Sequence, residues 1–185
     1  MNIELTNMQR TVIGVFLLVI MGAVIGWIYE MFFYRIDQGH FIKRGHGFGP
    51  WLPIYAFGAL GLTILVLNVK LNVIQLFFFS VIGSGVLEYA TGWVLYNCFG
   101  GVRLWDYNVE IWNWGNINGY ICARSVLIFG VFGSIFGALI VPKFMDMVAN
   151  ANANVLVCVS LVLALVVGAD VIYGYIIKSV INGGL

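Results

Sequence analysis

Arg44-Gly45-His46-Gly47-Phe48-Gly49-Pro50-Trp51-Leu52-Pro53-Ile54-Tyr55 is a basic, glycine-rich run that feeds directly into an apolar segment. Before it lies a hydrophobic stretch ending in Glu30, and after it a second stretch carrying Glu88, a tryptophan-rich connection, and a stretch carrying Arg124. The glycines at 45, 47 and 49 give the run no regular-structure preference, and Pro50 suits the first turn of a helix. The run therefore reads as a break between two long apolar helices.

The solvent for those helices is set by composition. The 185 residues are 62% hydrophobic and 9% charged, with a mean hydropathy of +0.98, whereas a soluble domain carries roughly 25% charged residues. So few charges cannot cover a surface in water, and lipid must surround most of the chain. The net charge of +1 and the scattered basic residues offer nothing to a nucleic acid. Cys98, Cys122 and Cys158 sit beside apolar residues and read as buried free thiols; Cys98 and Cys122 flank one connection and could bridge in an oxidising compartment.

In order, the first apolar run spans about Thr11 to Tyr34. It is too long for a signal h-region of roughly 7–15 residues and is expected to remain as a span. Gly22, Gly26 and Glu30 share one of its faces, where small residues allow close helix approach. Residues 35–49 form the most basic connection, with Arg35, His40, Lys43, Arg44 and His46. Further spans are expected at about Pro50–Asn68, Val73–Tyr96, Gly119–Val141 and Asn154–Ile177, with Pro142 ending the fourth and 143–153 a small polar connection. Gly85, Glu88 and Gly92 share a face of the third. Residues 97–118, with Trp105, Tyr107, Trp112 and Trp114, fit a segment at the bilayer interface. The expectation is an all-α polytopic membrane protein. It is a bundle of about five transmembrane helices in one domain over 1–185, with an interfacial aromatic-rich segment between helices three and four.

Glu30, Glu88, Arg124 and Asp170 all fall near one membrane face. Arg35, Lys43, Arg44, Arg103 and Lys178 on that face outnumber Arg10, Lys70 and Lys143 opposite, which orients it to the cytoplasm. Charges inside a membrane pair with one another or face water. Glu30 and Glu88 are thus either ion-pair partners of Arg44 and Arg124 or contacts for a ligand. Asp170, among Gly168, Ala169 and Gly174, either bonds neighbouring helices or joins the site. The implied feature is a polar cavity near one face, with the glycine loop as its lid and residues 101–118 as a gate. His40 and His46 lack the further ligands a metal site needs, so no metal and no cofactor are expected. No Walker-type loop, Gly-x-Ser-x-Gly elbow or His-Glu-x-x-His is present, which argues against an enzyme.

Several motifs together resemble a family. They are Gly26-Trp27-Ile28-Tyr29-Glu30, Arg44-Gly45 with Gly49-Pro50-Trp51-Leu52-Pro53-Ile54-Tyr55-Ala56-Phe57-Gly58, Glu88-Tyr89, Trp105-Asp106-Tyr107 and Asn118-Gly119. Across residues 20–135 they are similar to the type IV ABC-transporter (permease-like) family of small bacterial integral membrane proteins. Lys43-Arg44-Gly45 and Tyr55-Ala56-Phe57-Gly58 depart slightly from its usual pattern. The resemblance implies a membrane transport or solute-binding role. It groups Glu30, Arg44, Trp51, Tyr55, Glu88, Trp105, Asp106, Tyr107 and Asn118 as contacts for a small molecule or ion; Arg124 joins them by its depth alone. The protein would work in the cell membrane as a homodimer or a subunit of a larger transporter, without nucleic acid. Other readings are a membrane-embedded enzyme acting on a lipid or isoprenoid head group, and a sensor or accessory subunit with a structural charge cluster.

Overall fold

A computed structural model describes residues 3–177. It is all-helical: α1 (Asn7–Gln38), α2 (Pro53–Asn68), α3 (Val73–Cys98), α4 (Ala123–Ile135), α5 (Val141–Asn150) and α6 (Ala153–Val171). Among the described residues, four helical runs are long and apolar enough to cross a membrane, Asn7–Gln38, Val73–Cys98, Ala123–Asn150 and Ala153–Gly174, and α2 is a shorter apolar helix. Lys178, counted above for orientation, lies outside the described residues.

Local chemistry sets the helix ends. Thr6 and Gln9 form a capping box that starts α1, and Asn72 and Gln75 form another that starts α3. Each satisfies two amides that the first turn leaves without partners. Gly39, at φ +76°, ends α1 in the left-handed conformation that glycine adopts freely. Asn152 caps α6 by accepting from the amides of Asn154 and Val155.

The fourth helical run corrects the expectation about Pro142. The chain does not stop there. Residues Phe136–Ile140 widen into a π-turn, and the Val141 amide donates to the Phe136 carbonyl, one residue further back than in an α-helix. Proline lacks an amide and crowds the preceding turn, and a π-turn is one way a helix absorbs such a misfit. Residues 143–150 are therefore helix rather than connection. The thiols are also corrected: all three are free, but only Cys122 is buried, while Cys98 and Cys158 are exposed.

Contacts divide the chain into two compact units, Met1–Leu60 with Pro142–Leu185, and Gly61–Val141. In the first, α1 approaches α2 closely: a Cβ at Gly22 would overlap Ala59, and one at Gly26 would overlap the Tyr55 ring. Arg10 donates to the carbonyls of Val148 (2.9 Å) and Ala151 (2.8 Å), placing a cation where the end of α5 gathers partial negative charge. In the second unit, α3 and α4 pack along their length. Gly130 lies against Phe77 and Val81, and Gly133 against Ser80.

Candidate functional site

Polar residues gather in one cluster within each unit. In the first unit the glycine loop is tied to helices on either side. The Arg44 Nε donates to a Glu30 carboxylate oxygen at 2.6 Å, and the guanidinium lies over the Tyr34 ring, 4.1 Å from its centroid. Burial works against the charge of Arg44, but the Glu30 carboxylate overrides it and the pKa stays above its ordinary value. The Trp27 indole donates to the Arg44 carbonyl at 3.3 Å, and the Leu52 amide to the Ala23 carbonyl at 3.3 Å. Glycine at 45 allows a φ of +84°.

Asp170, buried on α6, is the second anchor of that loop. Its carboxylate accepts from the Phe48 amide (2.5 Å), the Gly49 amide (3.2 Å) and the Trp51 indole (2.8 Å). Consecutive amides converging on one carboxylate form an anion nest. Two glycines make the approach close enough. A Cβ at Gly47 would overlap the Asp170 carboxylate, and one at Gly174 would come within 2.8 Å of the Gly47 backbone. Phe48 stacks on Tyr173 with centroids 5.0 Å apart. Asp170 thus bonds a neighbouring loop rather than a neighbouring helix, through backbone donors that no side-chain pattern announces. Pro50 and Pro53 bracket Trp51 and Leu52, and α2 starts only at Pro53.

In the second unit the connection 99–122 folds over the ends of α3 and α4. Its Tyr107 hydroxyl lies 2.6 Å from a Glu88 carboxylate oxygen and 2.8 Å from the Ser125 hydroxyl. Ser125 also reaches both Glu88 oxygens, at 3.2 and 3.0 Å. All three groups are buried. Burial and the neighbouring Glu88 charge push the Tyr107 hydroxyl well above its ordinary pKa, so it remains a neutral donor. Beside them, Arg124 pairs with Glu110 at 2.9 Å, and both side chains are nearly fully buried.

The Arg124 pairing corrects two expectations. Its carboxylate partner is Glu110, which lies in a connection without periodicity to mark it. Its depth also changes: α4 starts at Ala123, capped by the Cys122 sulfur, which accepts from the Ser125 amide at 3.4 Å. Arg124 is therefore in the first turn of α4 rather than five residues into a span that starts at Gly119. A cation is unfavourable beside a helix N-terminus, and the Glu110 carboxylate offsets that.

The remaining residues grouped by the sequence shape the connection itself. Trp105 donates from its indole to the Tyr120 carbonyl at 2.9 Å. Asp106 accepts from Asn108 through its amide and side chain, and pairs at 3.4 Å with Arg103. Asn118 adopts φ +57° and donates to the Tyr89 hydroxyl at 3.2 Å. Trp112 and Trp114 are exposed. No group of three or more His, Cys, Asp or Glu stands together to hold a metal among the described residues. Tyr107 and Ser125 both engage Glu88; of the two, only Tyr107 carries a sequence signal, through its motif with Trp105 and Asp106.

No curated protein and no solved structure gives a significant match to the chain. The model of the family described as "Putative ABC-transporter type IV" matches residues 17–175, which takes in both clusters and all of the described spans except the first ten residues of Asn7–Gln38. The chain belongs to this ABC-transporter-related family of membrane proteins.

Proposed function

We propose that the protein is a permease-like membrane subunit that binds a small cationic solute or ion through Glu88. The observation that supports this is the kind of donor Glu88 receives. Within a membrane span, its carboxylate is met by the hydroxyls of Tyr107 and Ser125. Hydroxyls rotate, and can turn from a carboxylate to a ligand without moving the backbone. The Asp170 nest is built from two backbone amides and an indole N–H, whose hydrogens do not rotate, and has no such freedom. In this reading Glu30, Arg44, Trp51 and Tyr55 hold the glycine loop of the first unit in place. Trp105, Asp106 and Asn118 shape the gate over Glu88, and Arg124 with Glu110 holds its hinge. The protein acts in the cell membrane, as a homodimer or within a transporter complex.

The test is ligand-dependent thermal stabilisation of the purified protein in nanodiscs, using a panel of inorganic cations and small organic amines. A stabilising probe should lose its effect in Glu88→Gln and weaken in Tyr107→Phe and Ser125→Ala. Equal stabilisation of wild type and Glu88→Gln would sink the assignment. A second reading, an accessory subunit with structural charges, is favoured by the engagement of Glu30, Glu88, Glu110 and Asp170 with protein donors. It expects Glu88→Gln to lower stability with no probe acting on either protein.

A further inference from the structure

The second unit carries an open groove of about 470 Å³, lined by Val81, Ile82, Gly85, Val86, Tyr89 and Ala90 of α3 with Ile121 and Val126. Its size lies within the roughly 300–1,000 Å³ of small-molecule sites, yet its lining is almost wholly apolar. Gly85 removes the side chain that would fill the middle. Ile82 and Val86 are about two-thirds exposed along its open side. An apolar channel opening sideways from a membrane-crossing helix matches a hydrocarbon chain.

The polar end identifies what that chain carries. Tyr89 closes the groove toward the connection, and its hydroxyl receives the Asn118 side chain. The Asn118 carbonyl in turn accepts from Arg103 Nη1 at 3.2 Å. Arg103 is held between the rings of Tyr96 and Tyr120, at 4.7 and 5.0 Å, and its side chain is about a quarter exposed (24%). Its bonds to Asn118 and Asp106 both run from Nη1. The Asp106 contact is long, and that carboxylate is also occupied by Asn108. The rest of the guanidinium fork presents the geometry that phosphate oxygens accept. The exposed rings of Trp112 and Trp114 on the same connection suit the headgroup layer.

We infer that this groove is a binding site for an anionic phospholipid. One acyl chain lies along Val81–Ala90, and its phosphate meets Arg103. The experiment is native mass spectrometry of the delipidated protein titrated with phosphatidylglycerol or phosphatidylcholine in mixed micelles. Wild type should prefer phosphatidylglycerol about fivefold, the weight of one basic side chain at a lipid surface. Arg103→Gln should bind both lipids equally, and Arg103→Lys should restore part of the preference. Ile82→Trp, at a position about two-thirds exposed, fills the groove from its open side and should lose both lipids. Gly85→Leu should do the same from within. An unchanged preference in Arg103→Gln would overturn the headgroup assignment. Undiminished binding in Ile82→Trp, or disulfide crosslinking of Val86→Cys chains into dimers with the native cysteines replaced, would overturn the groove as a lipid site.

Discussion

Replacing Asp170 tests how far the glycine loop depends on its second anchor, one buried carboxylate. In Asp170→Ala the Phe48 amide, the Gly49 amide and the Trp51 indole all lose their acceptor. A buried donor left without a partner costs about 1–3 kcal/mol. The three share one carboxylate and relax together, so their costs do not simply add; about 3–6 kcal/mol is expected. For a chain of this length each kcal/mol moves Tm by roughly 2–4 °C, giving a loss of roughly 6–24 °C. Asp170→Asn keeps one oxygen but turns an NH2 group toward N–H donors, and should fall between the two. The assay is thermal unfolding in nanodiscs followed by circular dichroism, with limited proteolysis between Gly39 and Trp51. The variant should be cut there sooner than wild type. An Asp170→Ala protein that melts with wild type and resists the protease equally would refute the nest as the loop's anchor.

A double-mutant cycle on Glu30→Gln and Arg44→Gln should give a coupling of about 1–2 kcal/mol, less than a fully buried pair because both side chains keep some exposure; no measurable coupling would count against the pair. Gly174→Ala should destabilise by about 1–3 kcal/mol through contact with the Gly47 backbone. Gly168→Ala, which meets nothing within 4 Å, should gain up to about 1 kcal/mol of helix propensity, and thermal melts of the two separate packing from propensity. The Tyr107 pKa is raised on folding, so its contribution is fully present below the unfolded tyrosine value of about 10 and is lost as pH rises through the folded value. Alkaline unfolding followed by tyrosinate absorbance should therefore show a late-ionising tyrosine that is missing in Tyr107→Phe. If the variant titrates like wild type, the hydroxyl is not held as described.

Much of this arrangement is legible in the residues. Low charge and long apolar runs require the helices, and an acid on a glycine-lined face of α1 next to a basic loop foretells the Glu30–Arg44 pair. What stays hidden has physical reasons. The partners of Asp170 are mostly backbone amides, which every residue but proline carries, so no pattern points to them. Glu110 and Tyr107 lie in a connection whose path is set by left-handed turns at Gly100, Gly101, Trp112, Gly115, Asn118 and Gly119, and local sequence does not encode where such a path returns. Pro142 misleads because the stop signal is local, while the π-turn before it spreads the misfit over the preceding residues.

The hydroxyl donors of Glu88 come 19 and 37 residues later in the chain, whereas the N–H donors of Asp170 come 119 to 122 residues earlier. Synthesis runs in one direction, and an acid in hydrocarbon is costly until it is partnered. The Tyr107 and Ser125 hydroxyls therefore do not yet exist when α3 leaves the ribosome. The last span carries its acid to a nest whose donors already exist. In order of synthesis, the Glu88 cluster is thus completed after its acid and the Asp170 nest before it.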